Sequence, residues 1–224
     1  MGKNRILVGG IAATLILAIG GYWGYSALKK REQQQAITAA VKDTTARLRE
    51  TLVVQPNASG KGALPKVDAN LRAVEAHLDT VRKASASRSH AELADGAEHY
   101  VLGAREIMRR QVTSIRLSEQ STASRHALAA HMSRAAYRDA NWIHEAMNRK
   151  KKVEGDYFDY NVTLLALSEV LWTFPDARKR LVSRVDDSLL LEIGPAEDAR
   201  RAVLSQSKRI AQELDGVRRL APDR

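Results

Sequence analysis

The stretch "DYFDYNVTLLALSE", residues 156–169, holds the one group of side chains suited by type to acid–base work: Asp156, Asp159 and Glu169 beside Tyr157 and Tyr160. A carboxylate takes or gives a proton in catalysis only within hydrogen-bond reach of its target and with a tuned pKa. Asp156 and Asp159 suit a connection or a helix N-terminal turn equally well, where a carboxylate meets the positive pole of the helix dipole. No catalytic residue is expected.

The metal and cofactor patterns are also absent. A di-iron bundle needs Glu-x-x-His on facing helices, and none of the six histidines follows an acid by three residues. His126 and His131 are five apart and so point to different helix faces, and His144-Glu145 lacks the second histidine of a zincin helix. The chain has no cysteine, which excludes Cys-ligated clusters and covalently attached haem. "GKG" at 60–62 is no P-loop, because the earlier glycine is missing and neither Ser nor Thr follows the lysine. No metal and no cofactor are expected.

Positive charge is the next signal. Lys and Arg number 36 against 26 Asp and Glu, a formal +10, which first suggests nucleic acid or anionic lipid as a partner. Five of these cations fall in the first 31 positions with no acid among them. Residues 105–152 then hold eleven basic and four acidic residues, and 153–198 hold four and ten. Two antiparallel helical segments so charged would attract one another, and solvated faces would show the same pattern. Two clusters are candidate contacts for lipid or a protein partner: Lys29, Lys30 and Arg31, and Arg149, Lys150, Lys151 and Lys152. The second also suits a helix C-terminal end, and it lacks the aromatic or glycine interleaving of a nucleic-acid site, so nucleic acid is not an expected partner.

The elements that would position these residues begin with Ile6 to Leu28, 23 residues without a charge. A spanning helix needs about 20 apolar residues, whereas a cleaved secretory signal has a core of about 7 to 15 followed by a small-x-small site. The best such site, Ala18-Ile19-Gly20, lies inside the run. An uncleaved transmembrane anchor is expected, with Lys3 and Arg5 on one side, Lys29, Lys30 and Arg31 on the other, and Tyr22, Trp23 and Tyr25 as its aromatic belt. Gly10, Thr14, Gly21 and Gly24 fall along one line of this helix, a small-residue stripe against which a partner span or a second copy could pack. A short basic start followed at once by such a run has signal-anchor form. It implies a single-pass protein of a bacterial-type inner membrane with its large domain in the periplasm. The positive-inside count points the other way, to a domain on the cytoplasmic side.

Beyond the anchor the sequence reads all-α: Ala, Leu, Arg, Glu and Gln dominate and apolar residues recur at helical spacing. The expected divisions are a basic tail at 1–5, the anchor at 6–28, a membrane-proximal helix at 29–54, a linker at 55–66 marked by "QPNASGKGALP", and a helical bundle domain at 67–224. A helix at about 66–84 carries Val67, Leu71, Val74, Leu78 and Val81 as an apolar stripe. Ser89 and Glu92 form a capping box for a helix to about Leu117, and "SEQSTAS" is a candidate break before one at about 121–152. Gly155 and Asp156 open a connection, and the apolar segment after them should be the central helix, stopped by Pro175. Helices at about 176–192 and from Gly194-Pro195 to about Leu220 follow, the latter with Glu197 and Asp198 in its first turn. This gives one transmembrane helix followed by a bundle of five to seven helices. The function that fits is a non-enzymatic, membrane-anchored adaptor or accessory subunit that binds another membrane or envelope protein or self-associates. An extracytoplasmic ligand-sensing helical domain is the alternative.

Overall fold

Apolar spacing of three and four residues recurs through nearly the whole chain, and nearly all of it is helix. The computed structural model describes residues 3–54, 62–85, 90–133 and 139–220, with side chains from Ser26 onward. The described residues form five α-helices: α1 (Lys3–Leu52), α2 (Ala63–Ser85), α3 (Ala91–Ser133), α4 (Ala140–Val182) and α5 (Ile193–Arg218), with a 3-10 turn at Asp187–Leu189 and no strand.

Among the described residues no helix is long and apolar enough to cross a membrane. Of the anchor expected at 6–28, and of Gly10, Thr14, Gly21 and Gly24 within it, only the helical backbone is described; the expected side-chain stripe lies outside the described residues, whose side chains begin at Ser26. The backbone of α1 runs without interruption from Lys3 to Leu52. Its second half packs into the bundle: Ile37, Val41, Thr44, Thr45 and Leu48 are buried, and α1 lies against α2 and α3. Of the expected linker, residues 55–61 lie outside the described residues, and α2 has already begun at Ala63. Val67, Val74, Leu78 and Val81 form its buried stripe, as the spacing predicts. Ser89 of the expected capping box is not described; Glu92 instead meets Arg184 at 2.5 Å.

Three expected breaks do not occur. α3 continues through "SEQSTAS" because its serines satisfy their own hydroxyls within the helix. Ser114 Oγ donates to the Gln111 carbonyl at 2.9 Å, Ser121 to that of Ser118 at 3.0 Å and Ser124 to that of Ser121 at 3.1 Å. Such bonds let small polar residues be buried without an unpaired group. α4 continues through Gly155 because Val153, Asp156, Tyr157 and Tyr160 form one buried face across it. It also contains Pro175, which removes one backbone bond. Buried Phe174 and Leu181 on either side hold the chain in place. A further difference is at α5, which begins two residues before Pro195, so that its first turn carries no acid.

α3 and α4 lie antiparallel and pack closely where α3 is smallest. A Cβ on Gly96 would stand 3.0 Å from the Arg180 carbonyl oxygen, and one on Gly103 would stand 3.0 Å from Phe174 Cδ2. α5 returns along α4. One end of the bundle therefore gathers the start of α3 and the end of α4 beside α1, where His90 Nε2 lies 3.0 Å from the Lys30 carbonyl oxygen. The far end gathers the end of α3, the start of α4 and the end of α5.

Candidate functional site

The sequence expects the segment after Tyr157 to be the central helix, surrounded on all sides. In the structure α4 is buried on one face only. Tyr157, Tyr160, Leu164, Leu167, Leu171 and Phe174 point inward, while Phe158 is 56% exposed, Val162 48%, Leu165 48% and Trp172 64%. With exposed Glu169, these residues follow a four–three–four–three spacing. That spacing is the seam of a coiled coil, the line along which one helix receives another. The Arg200 guanidinium on α5 lies over the Trp172 ring, 4.5 Å from its centre, an arrangement that orients the indole by cation–π attraction.

The acidic-aromatic group does not converge. Asp159 and Glu169 are exposed on the outer face, and Asp156 is buried on the inner one. Asp156 accepts from Gln120 Nε2 at 2.7 Å and from Lys152 Nζ at 3.1 Å. Burial raises its pKa, but hydrogen bonds from Ser124, Gln120 and Lys152 outweigh this and hold it below the usual carboxylate range. Tyr157 donates to Glu213 Oε2 at 2.8 Å, and Arg125 lies 3.4 Å from the same carboxylate oxygen. Burial, then the hydrogen bond and charge of Glu213, push the Tyr157 phenol up to about 12. Asp156 and Tyr157 thus belong to separate networks, and the five residues do not form one site.

The cationic clusters stand apart. Arg149 pairs with Glu145 at 2.9 Å. Lys150 donates to the Arg218 and Leu220 carbonyl oxygens at 3.0 and 2.7 Å, which caps the end of α5 where the helix dipole is negative. Lys152 belongs to Asp156, and Lys151 is exposed. Lys29, Lys30 and Arg31 are exposed at the opposite end. From His90, beside Lys30, to Gln120, beside Asp156, α3 rises about 45 Å, so one surface cannot engage both clusters. The basic part of α3 and the acidic part of α4 do lie side by side and antiparallel, but among the described residues the only ion pairs that join the two charge blocks, Lys150–Glu154 and Lys152–Asp156, lie within α4.

Four of the six histidines have structural partners, and His126 and His144 are exposed. His77 Nε2 is 2.6 Å from Asp43, and His131 stacks on Trp142 with centroids 5.1 Å apart. Among the described residues no group of His, Asp and Glu is arranged to hold a metal ion. A cavity of about 640 Å³ lies at the far end, where Leu128, Met132, Val217 and Leu220 form apolar walls beside Arg125, Tyr157 and Glu213. No protein-family model, curated protein or solved structure matches this chain.

Proposed function

We propose that the chain is a single-pass, membrane-anchored helical protein with a non-enzymatic role. It would bind an amphipathic helix of another membrane or envelope protein along the seam of α4, as an adaptor or accessory subunit. The exposed run Phe158, Val162, Leu165 and Trp172 carries this reading, since exposed apolar residues aligned over two heptads mark an interaction face. Glu169 selects the occupant. In parallel self-pairing it would face its own copy, and in antiparallel pairing of the same seam it would face Phe158, Leu165 or Trp172. A carboxylate desolvated in this way is costly. A partner helix with Lys or Arg at the facing position removes that cost.

The anchor rests on the uncharged run from Ile6 to Leu28, which is of spanning length. The signal-anchor form favours a periplasmic bundle on a bacterial-type inner membrane, with the cytoplasmic side as the alternative. The continuous backbone of α1 would mount the bundle stiffly on such an anchor. A photo-crosslinking residue at Val162 or Leu165 in native membranes should give one adduct with a different protein, one at Ala127 should give none, and Glu169→Lys should abolish it. An adduct with the chain's own copy, or equal adducts from both faces, would reject the seam as a heterologous site.

A second reading, ligand sensing, is favoured by the far-end cavity, whose Arg125 and Glu213 could orient the polar head of a small amphiphile. Native mass spectrometry of the detergent-purified chain should then show a bound small molecule that Leu128→Trp displaces; a ligand-free spectrum from freshly isolated membranes would count against it.

A further inference from the structure

The contact between His90 and Lys30 sets where the bundle stands relative to the anchor. If the membrane span is Ile6 to Leu28, as proposed above, Lys30 lies about 3 Å beyond the end of the apolar run at 1.5 Å per residue. The headgroup layer on each side of a bilayer is about 5 to 8 Å deep. His90 Nε2 touches the Lys30 carbonyl oxygen at 3.0 Å, so the start of α3 stands inside that layer. Arg184, just past the end of α4, joins Glu92 at 2.5 Å and brings that terminus to the same level. The bundle thus has no tether between it and the membrane.

This end is chemically suited to such a position. Lys29, Lys30, Arg31, Lys83 and Arg180 are exposed, and among the described residues none of the five is in an ion pair. Lys83 and Arg180 lie within about two helical turns of the base, and their long side chains can extend toward it. Three acids stand at the same end, fewer than the five cations: Glu92 is engaged by Arg184, Asp95 lies 3.6 Å from His99, and Glu32 is exposed beside Arg31. Leu28 and Val182, 57% and 38% exposed, add apolar surface at this level. Cations flanking exposed apolar residues complement a layer of lipid phosphates above acyl chains.

We infer that this end of the bundle docks on anionic phospholipid headgroups of the leaflet from which the anchor emerges. Lys29, Lys30, Arg31, Lys83 and Arg180 would hold the phosphates. The inference rests on the anchor reading and adds to it that the bundle is pressed against the bilayer instead of hanging free of it.

The chain contains no cysteine, so single labels can be placed cleanly. The full chain would be reconstituted in phosphatidylcholine vesicles with and without phosphatidylglycerol, with a spin label at Ala91→Cys at the base or Ser133→Cys at the far end. Headgroup-chelated nickel should relax the Ala91 label strongly and the Ser133 label little. Phosphatidylglycerol should increase the Ala91 effect, and Lys83→Gln with Arg180→Gln should reduce the gain, about fivefold in lipid affinity per cation removed. Equal relaxation at both sites, or no response to phosphatidylglycerol, would overturn the inference while alkaline carbonate still leaves the chain in the membrane. Extraction by carbonate would instead remove the anchor reading and this inference with it.

Discussion

Tyr100 on α3 sets its phenolic oxygen 2.8 Å from the Thr45 hydroxyl on α1. The same oxygen accepts the Leu191 backbone N–H at 2.9 Å, and Thr45 donates to the Val41 carbonyl at 3.0 Å. The donors therefore run in one direction, from the Leu191 amide through Tyr100 and Thr45 to Val41. The ring packs against Phe174 on α4, centroids 5.2 Å apart. One buried phenol thus ties α1, α3, α4 and the connection before α5 together, and burial raises its pKa. Buried chains of this kind polarise one another, and a single missing member leaves an unpaired group in an apolar setting.

Tyr100→Phe should therefore destabilise the fold by about 1–3 kcal/mol, because the buried Leu191 N–H loses its acceptor while the ring contacts remain. Thr45→Val should also cost stability, and the double variant should cost clearly less than the sum, since both remove one network. Urea unfolding of the four proteins measures this. Strict additivity would show that the hydroxyls are not coupled.

Two glycines in long helices should respond in opposite directions. A side chain on Gly96 must push on the Arg180 backbone carbonyl, which cannot yield without moving α4. Gly96→Val is expected to cost about 1–3 kcal/mol through overpacking. A Cβ on Gly155 meets nothing within 4 Å, so Gly155→Ala should gain about 1 kcal/mol of helix propensity. Thermal melts decide, and a stabilised Gly96→Val would refute the close α3–α4 approach.

The same positions show what can be read from sequence. α2 is legible because its period is clean and its single apolar stripe meets one neighbourhood. Gly155 and Pro175 read as breaks because local propensity opposes a helix there, yet tertiary packing on both sides of each prevails. That misreading hid the role of the basic cluster: Glu154 and Asp156, the partners of Lys150 and Lys152 at i, i+4, seem useless if a connection starts at Gly155. In the uninterrupted helix they are ordinary pairs. The apolar segment after Tyr157 reads as a central core helix, and that one of its faces is exposed depends on which face α3 and α5 cover, which the pattern of α4 alone does not contain.

Asp156 should make the fold acid-sensitive. Its pKa is lowered in the folded state, so its contribution is present above the unfolded value and is lost as pH falls below about 4. Asp156→Asn should be less stable than the parent at neutral pH, and the gap should close on acidification. A gap in urea midpoint that stays constant from neutral to strongly acidic pH would show that the charge of Asp156 contributes nothing.

Tyr157 should act at the alkaline end. Its phenol is raised to about 12 in the folded chain and titrates near 10 when unfolded. The neutral phenol is the form the fold favours, so this stabilisation is fully present below about pH 10 and is lost as pH rises through about 12. Lysines titrate in the same range, and comparison with Tyr157→Phe removes their common effect. Near neutral pH that variant should lose about 0.5–1.5 kcal/mol, a modest cost because Glu213 keeps Arg125 and Arg209, at 3.4 and 3.7 Å. The difference between the two proteins should then shrink steadily through the alkaline range. Tyrosinate absorbance gives an independent reading: Tyr100 and Tyr160 are also raised by burial, so the folded parent should show a late-titrating group of phenols from which the variant lacks one. An unchanged late phase in Tyr157→Phe would mean that the bond to Glu213 does not hold the phenol protonated.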